Sequence, residues 1–281
     1  MKLKVGIAQF SPILGDVTRN LEKIFEFIER AREENCGLVT FPENALTGYF
    51  LRDLVSEVSE PIDGEIIKEI KAKSREIDIL LGFVEESKDF NNYLSGGYFS
   101  KGKLLHVHRK VYLPTYGMFE DRRYFSHGER VRAFDTPFAR MGVLICEDAL
   151  HPLLSYVLAM DEILVLHVIS NSPLRGFLKN ESDTLEKWEE TLQIISRMYG
   201  FYVVYTNRSG FEDGIHYGGN SFISDPNGAI LIRAKKGEED FISAIISLEA
   251  INRTRVRLPL VRDEIIPLSI KELQRIYKNK K

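Results

Sequence analysis

Three reactive side chains each lie close to the end of a predicted strand. Cys146 directly follows an apolar run that begins at Gly142, Glu43 follows a second apolar run and a proline, and Lys110 leaves a third predicted strand. A cysteine thiolate is a strong nucleophile, and a carboxylate at the end of a strand can act as a general base. Such residue types are typical of covalent catalysis, in which a base or a nearby cation activates the nucleophile.

Taken singly, each of these residues also has a simpler structural interpretation. Free cysteines are often buried in cores, loop carboxylates often cap helices, and most lysines are solvated surface cations. Two acids, Glu147 and Asp148, directly follow Cys146, which favours an accessible strand-to-helix turn over simple burial. The presence of an acid, a lysine and a cysteine together, each near a strand end, favours a catalytic over a structural interpretation.

The elements that must position these residues alternate between strands and helices, as in α/β folds. Predicted strands cover 4–10, 37–41, 77–84, 93–99, 104–108, 140–145, 162–169, 201–206, 221–224, 230–233 and 241–247. Predicted helices follow Asp16 and cover 62–75, 150–160 and 183–199. Segments 93–99 and 104–108 form a hairpin, and the last three strands form a meander, so the sheet structure is mixed. Ser269 and Glu272 predict a capping box and a final helix before a basic tail at 278–281.

The composition of the chain narrows the classes of function. Thirty-eight basic and 41 acidic residues give a net charge of −3, which offers no positive field for nucleic acid or an anionic membrane. No stretch approaches the roughly 18 apolar residues that span a bilayer. Two cysteines cannot form a disulfide framework, so we expect a reducing compartment, the cytoplasm. No flexible linker divides the chain, which predicts one domain over 1–281 with a C-terminal extension from about 255.

The order of Glu43, Lys110 and Cys146, with the segments 40–49, 108–120 and 142–148 around them, resembles the nitrilase superfamily of carbon-nitrogen hydrolases. The resemblance implies a four-layer α-β-β-α sandwich with mixed sheets, in which the three residues correspond to the family's Glu, Lys and Cys. Segments 110–119 and 146–148 are most similar to the glutamine-hydrolysing domains of glutamine-dependent NAD synthetases.

This resemblance implies a hydrolysis in two steps. Cys146 attacks an amide carbonyl while Glu43 takes the thiol proton, and the Lys110 ammonium and the backbone N–H of Glu147 stabilise the oxyanion. Ammonia leaves, and Glu43 then activates water to release the acid from the thioester. We expect Glu120 to be the additional acid that the superfamily places near its lysine, with Asp121 second because the order of acids here differs. No metal or cofactor is expected.

Further residues match pocket positions of that branch: Tyr49, Tyr116, Phe119 and Glu147. Glu147 is expected to bind a substrate amine, and Ser172 or Arg175 to lie near a substrate carboxylate. The aromatic residues could equally be ordinary core, and Arg175 a surface cation. His106 and His108 lie on one face of a strand, but without further ligands they predict a structural or surface pair.

The expected function is cysteine-dependent hydrolysis of a small carboxamide, glutamine or a related ω-amide. One alternative substrate is an N-carbamoyl amino acid or a nitrile. A second alternative is an ammonia-supplying subunit of a separate synthetase, since the chain ends at Lys281 and no synthetase domain of its own is expected. A third is a binding protein without activity. The superfamily also implies a homodimer or higher homo-oligomer that pairs through helices 150–160 and 183–199.

Overall fold

The computed structural model describes residues 1–174 and 182–280. The strands in these residues are β1 (Lys2–Gln9), β2 (Leu38–Thr40), β3 (Glu60–Pro61), β4 (Asp78–Glu86), β5 (Asn92–Ser100), β6 (Lys103–Arg109), β7 (Phe134–Asp135), β8 (Arg140–Ile145), β9 (Val165–Ser170), β10 (Tyr202–Asn207), β11 (Ser209–Glu212), β12 (Ile215–Gly218), β13 (Phe222–Ser224), β14 (Ile230–Arg233) and β15 (Asp240–Ser247). The helices are α1 (Val17–Glu33), α2 (Val55–Val58), α3 (Glu65–Lys73), α4 (Asp121–Tyr124), α5 (Pro152–Met160), α6 (Ser182–Tyr199), α7 (Leu248–Arg257) and α8 (Ile266–Asn279), and 3-10 turns lie at Arg52–Leu54 and Cys146–Leu150.

The strands form two mixed sheets. The first has the order β15-β1-β2-β4-β5-β6, with β3 beside β4, and the second has the order β14-β13-β10-β9-β8-β7. Strands β1, β2 and β4 are parallel, and so are β8, β9 and β10. Two antiparallel pairings separate β6 from β4, so β6 runs in the same direction as β2 and β4. The strands that precede Glu43 and Lys110 therefore end at the same edge of the first sheet.

The two sheets stack face to face between layers of helix. On β8, Val143 and Ile145 face Gly96 of the first sheet, whereas a Cβ on Gly142 would meet Leu158 of α5. This alternation follows from the two-residue period of a strand, which sends successive side chains to opposite faces. On the other side of the molecule, the buried faces of α1 and α3 pack on the outer face of the first sheet. The expected α-β-β-α sandwich with mixed sheets is confirmed.

Several predicted elements are confirmed with small shifts at their ends. The Asp16 side chain accepts a hydrogen bond from the Arg19 N–H at 3.1 Å and caps α1, as the sequence indicates. Strands β5 and β6 form the predicted hairpin, whose turn residues Lys101 and Gly102 have φ of 51° and 77°.

The predicted meander is wrong in its last strand. Strand β14 pairs with β13, but β15 crosses to the first sheet and pairs antiparallel with β1, with Lys2 opposite Ser247. An alternating apolar pattern can be buried against either sheet, so the sequence does not specify the partner.

The predicted C-terminal capping box is also wrong. Helix α8 begins at Ile266 with Pro267 in its first turn, a position where the missing N–H and fixed φ of proline are favourable. Ser269 therefore lies inside the helix, and its hydroxyl is 3.2 Å from the Tyr156 hydroxyl. The helix continues to Asn279, so it includes the first two residues of the predicted basic tail at 278–281.

The sequence reasoning missed four short strands, β3, β7, β11 and β12. These segments of two to four residues lack the continuous apolar run that identified the equally short β2 and β14. Asp213-Gly214, between β11 and β12, is nevertheless a typical hairpin dipeptide, and both residues have positive φ. Across residues 1–174 and 182–280, no helix combines the length and apolar character that crossing a bilayer requires.

Candidate active site

Glu43 lies in a loop that continues along β4 after β2 ends. The Phe41 N–H donates to the Leu80 carbonyl and the Ala45 N–H to the Gly82 carbonyl, both at 2.9 Å. This close approach requires glycine, because a Cβ on Gly82 would lie 2.3 Å from the Pro42 carbonyl oxygen. The loop thereby fixes Glu43 in the interior, where its side chain is 1% exposed.

Both carboxylate oxygens of Glu43 have partners. Oε1 accepts a hydrogen bond from Lys110 Nζ at 2.7 Å, and Oε2 accepts one from the Asn171 N–H at 2.8 Å. Burial raises the pKa of Glu43 above its ordinary value, against the lowering effect of Lys110 and with a further increase from Asp121. A carboxylate with a raised pKa is a stronger base than an exposed one, which suits it to proton removal near neutral pH.

Lys110 is buried between two carboxylates. Its side chain is 1% exposed, and Nζ donates to Glu43 at 2.7 Å and to Asp121 Oδ2 at 2.8 Å. Burial disfavours the ammonium, yet the charges of Asp121 and Glu43 hold the pKa of Lys110 well above its usual value. The side chain is therefore a fixed cation at the edge of the first sheet.

Cys146 begins the 3-10 turn that follows β8. Its φ of 47° is left-handed, a conformation that costs a non-glycine residue about 1–2 kcal/mol. Burial and the Glu43 carboxylate raise the pKa of the thiol to about 12, against the effect of Lys110. The resting thiol is therefore protonated at neutral pH and needs a base when it attacks, and a base and a cation are both close enough to influence it.

The acid beside the lysine is Asp121, and the expectation that Glu120 holds this place is wrong. Asp121 begins α4, is buried, and binds both Lys110 and the Tyr49 hydroxyl. The side chain of Glu120 is 55% exposed and lies 3.6 Å from Arg123. Neighbouring residues point in different directions at a helix start, so the local turn decides which of two adjacent acids faces inward.

A cavity of about 430 Å³ opens beside Cys146. Of the predicted pocket residues, Tyr116, Phe119, Glu147 and Ser172 line it. Tyr49 lies behind this wall, with its ring edge-to-face on Phe119 at 6.2 Å and its hydroxyl on Asp121. Arg175 lies outside the described residues.

Two polar groups of the cavity wall are held in place by neighbours. Glu147 Oε2 accepts a hydrogen bond from the Tyr116 hydroxyl at 2.6 Å, and His151 Nε2 is 3.6 Å from Oε1. The Trp188 indole, which also lines the cavity, donates to the Ser172 hydroxyl at 2.6 Å. The cavity therefore presents one carboxylate and one oriented hydroxyl next to the thiol.

The sequence reasoning missed the contribution of α6 to this cavity. Thr184, Lys187, Trp188 and Thr191 line it. Their spacing of three, four and seven residues places them on one face of a helix, which was the available signal. The sequence could not show that this face meets the cavity.

The two predicted histidines have separate structural contacts. His108 Nε2 lies 2.8 Å from Asp148 Oδ2, and the ring of His106 stacks on Phe134 with centroids 4.3 Å apart. Burial lowers the pKa of His106 to about 4, so its imidazole is neutral at physiological pH. Within the described ranges 1–174 and 182–280, no group of three or more His, Cys, Asp or Glu side chains could hold a metal ion.

Comparison with known proteins identifies the family. The model of the carbon-nitrogen hydrolase family matches residues 4–256. The chain is 30% identical over 252 residues to a glutamine-dependent NAD(+) synthetase from Thermotoga maritima, covering 88% of this chain and 42% of that protein. This chain thus spans less than half the length of the synthetases that it matches.

Solved structures agree with this result. The glutamine-dependent NAD+ synthetase of Acinetobacter baumannii superposes with a TM-score of 0.80 at 28% identity, over 89% of this chain and 47% of that one. Saccharomyces cerevisiae Nit3, a member of the nitrilase superfamily, superposes with a TM-score of 0.81 at 27% identity, over 92% of this chain and 95% of its own. The chain therefore belongs to the carbon-nitrogen hydrolase family of the nitrilase superfamily, whose members hydrolyse carbon–nitrogen bonds other than peptide bonds.

Proposed function

We propose that this protein hydrolyses the carboxamide of a small amino acid, glutamine or a related ω-amide, through a thioester on Cys146. The observation that carries the proposal is the Lys110 ammonium, held 2.7 Å from Glu43 and 2.8 Å from Asp121 beside a buried thiol. A base, a fixed cation and a nucleophile are the groups that amide hydrolysis through a thioester needs.

In the first step, the sulfur of Cys146 bonds to the amide carbon as Glu43 takes the thiol proton. Negative charge develops on the carbonyl oxygen, and the Lys110 ammonium and the Glu147 N–H stabilise it. The carbon–nitrogen bond then breaks, the nitrogen takes the proton from Glu43, and ammonia leaves. Because the pKa of Cys146 is raised to about 12, attack and proton transfer must be concerted or closely coupled.

In the second step, water replaces ammonia. Glu43 removes a proton from the water as its oxygen bonds to the thioester carbon, and the same cation stabilises the second oxyanion. The carbon–sulfur bond breaks, the thiol recovers its proton from Glu43, and the acid departs. Asp121 holds Lys110 through both steps, which makes it a positioning residue rather than a proton donor.

The charges of the cavity favour a substrate that carries both an amine and a carboxylate. Glu147 would bind the ammonium, while Ser172 and Lys187, which also line the cavity, would lie near the carboxylate. Its volume of about 430 Å³ falls at the small end of the range of about 300–1,000 Å³ for ligand pockets. A free amino acid amide therefore fits better than a large substrate.

A substrate panel on the purified protein tests this proposal. Ammonia release is measured with glutamine, an N-carbamoyl amino acid and a simple nitrile at matched concentrations. We expect glutamine or a related ω-amide to give the highest kcat/KM. Preference for the carbamoyl compound or the nitrile would support the alternative substrates, and absence of release from all three would overturn the hydrolase proposal for these substrates.

A second candidate is an ammonia-supplying subunit of a separate synthetase. It is favoured by the similarity to glutamine-dependent NAD synthetases, of which this chain spans less than half. Glutamine hydrolysis would then be slow alone and faster when an added synthetase binds. Unchanged hydrolysis and no co-purification in the presence of a stand-alone NAD synthetase would exclude this function.

We further propose a homodimer or higher homo-oligomer that pairs through helices α5 and α6. Leu153, Ile194 and Met198 on these helices are 47%, 55% and 47% exposed, so the two helices present apolar side chains that a second copy could cover. Analytical ultracentrifugation of the wild type and of Ile194→Glu tests this interface.

The proposed location is the cytoplasm, where the free thiols of Cys36 and Cys146 would stay reduced. The single domain with an extension from about 255 also remains a prediction.

A further inference from the structure

Asp148 is a buried carboxylate with hydrogen bonds on both oxygens, and the proposed chemistry does not use it. Its side chain is fully buried. Oδ1 accepts from the N–H groups of Val111 at 3.0 Å and Tyr112 at 2.9 Å. Oδ2 accepts from the Ile145 N–H at 3.2 Å and pairs with His108 Nε2 at 2.8 Å.

These partners belong to the two chain segments that carry the reactive groups. His108, Val111 and Tyr112 flank Lys110 on either side, and Ile145 directly precedes Cys146. Strand β6 before Lys110 is in the first sheet and strand β8 before Cys146 is in the second, so no ladder of backbone hydrogen bonds joins them. Asp148 supplies the polar connection that the sheets do not.

The chemistry of a carboxylate suits this place. A buried carboxylate is costly unless hydrogen bonds satisfy it, and hydrogen bonds to a charged acceptor are stronger than neutral ones. The bond to the Ile145 N–H also braces the turn in which Cys146 keeps its φ of 47°. An asparagine has the same shape, and its oxygen could still accept the hydrogen bonds from the Val111 and Tyr112 N–H groups. Its NH₂ group would then face the Ile145 N–H, and an NH₂ group cannot accept a hydrogen bond from it.

We propose that Asp148 is a positioning residue that fixes the Lys110 ammonium relative to the Cys146 sulfur by tying their two chain segments together. The inference rests on the proposed function, because it assigns Asp148 to the same nucleophile and cation. The brace on the Cys146 turn through the Ile145 N–H does not need Lys110. The larger part of the effect on the thiol passes through Lys110, so removing Lys110 should remove most of that effect.

A double-mutant cycle on thiol reactivity tests this coupling without any substrate. The rate of Cys146 alkylation by iodoacetamide is measured by mass spectrometry of the peptide in the wild type, Asp148→Asn, Lys110→Met and the double variant. We expect Asp148→Asn to slow alkylation about tenfold with Lys110 present and less than about twofold with Lys110→Met, a coupling in the range found within one hydrogen-bond network.

Asp161→Asn is the matched control. Asp161 also accepts a backbone N–H, from Ala133 at 2.8 Å, and binds Arg140 at 2.6 Å, but it braces the opposite end of β8. This control should leave the alkylation rate of Cys146 unchanged. If Asp148→Asn does not fold, His108→Leu removes one partner of the carboxylate and should give a smaller effect of the same sign in the same cycle.

Equal slowing in both Lys110 backgrounds would mean that Asp148 acts on the fold alone and would overturn the inference. An unchanged or faster alkylation in Asp148→Asn would overturn it as well. Failure of the proposed function gives a different result, since the wild type would then release no ammonia from any amide or nitrile while the alkylation cycle still reports the coupling.

Discussion

The two sides of the Cys146 thiol differ in how they are held. On one side, Glu43, Lys110 and Asp121 are at most 4% exposed and are joined by hydrogen bonds. On the other side, Glu147 is 15% exposed at a cavity whose lining also includes the exposed Lys187. We infer that the buried side sets the chemistry, since its charges act in a medium of low dielectric, and that the open side sets the substrate.

Removing the buried cation is expected to have the largest effect. Lys110→Met should lower kcat by about 100- to 1,000-fold, the usual cost of losing an oxyanion donor. KM should change far less, because the ammonium would stabilise charge that develops only in the transition state. Steady-state ammonia release measures both constants. Lys68→Met, which removes an exposed lysine that pairs with Glu65, is the control. Near-normal turnover in Lys110→Met would contradict the role of the buried side.

Changing the carboxylate of the open side should alter binding instead of chemistry. Glu147→Gln is expected to raise KM for glutamine about tenfold or more, because a charge-assisted hydrogen bond to the ammonium is lost. Glutaramate lacks the amine, so its KM should not change. The kinetics of both substrates are compared with those of Glu186→Gln, an exposed acid of α6 that should affect neither. Equal effects on both substrates would show that Glu147 does not bind the substrate amine.

Removing the cation of the open side should weaken the binding of substrates that carry a carboxylate, by a smaller factor than the change at Glu147. Lys187→Met is expected to raise KM for glutamine and glutaramate by up to about fivefold, since an exposed ion pair contributes at most about 1 kcal/mol. The amide of γ-aminobutyric acid lacks the carboxylate and should keep its KM. Lys187→Arg keeps the charge and serves as the control. A larger loss with the γ-aminobutyric amide than with glutaramate would exclude carboxylate binding.

The pH dependence of activity distinguishes the role of the Glu43 carboxylate from that of Glu147. Glu43 must be deprotonated to act as a base, and burial raises its pKa. Activity should therefore be complete at higher pH and lost as the pH falls through a midpoint above that of an ordinary glutamate, about 4.3. The profile of kcat/KM is measured with glutaramate, which does not need Glu147. Glu147→Gln should leave the midpoint in place, and a midpoint at or below the ordinary value would exclude Glu43 as the base.

The sequence predicted the buried side well because strand direction controls it. Apolar runs identified the strands before Glu43, Lys110 and Cys146, and the first two of these strands, β2 and β6, run in one direction and end at the same edge of the first sheet. Cys146 follows β8 of the second sheet, so the stacking of the two sheets brings it to the other two residues. The choice between Glu120 and Asp121 could not be made in the same way. It depended on the backbone torsions at the start of α4, which turn Asp121 inward and leave Glu120 in solvent.

The open side was harder to predict because distant segments build it. Glu147 adjoins the nucleophile in sequence, but Lys187 and Trp188 reach the cavity only because α6 packs over the second sheet. Periodicity identifies an apolar helix face without identifying what that face meets. The crossing of β15 to the first sheet escaped prediction for the same reason.

By itself, the sequence determined the reactive residue types, the alternation of strands and helices and the family-like order of acid, lysine and cysteine, because these depend on local patterns and chain order. Only the tertiary structure decided that Asp121 holds the lysine, that α6 lines the cavity and that Asp148 connects segments of two different sheets. Side-chain direction and the stacking of layers arise from contacts between residues far apart in the chain, which no local pattern encodes.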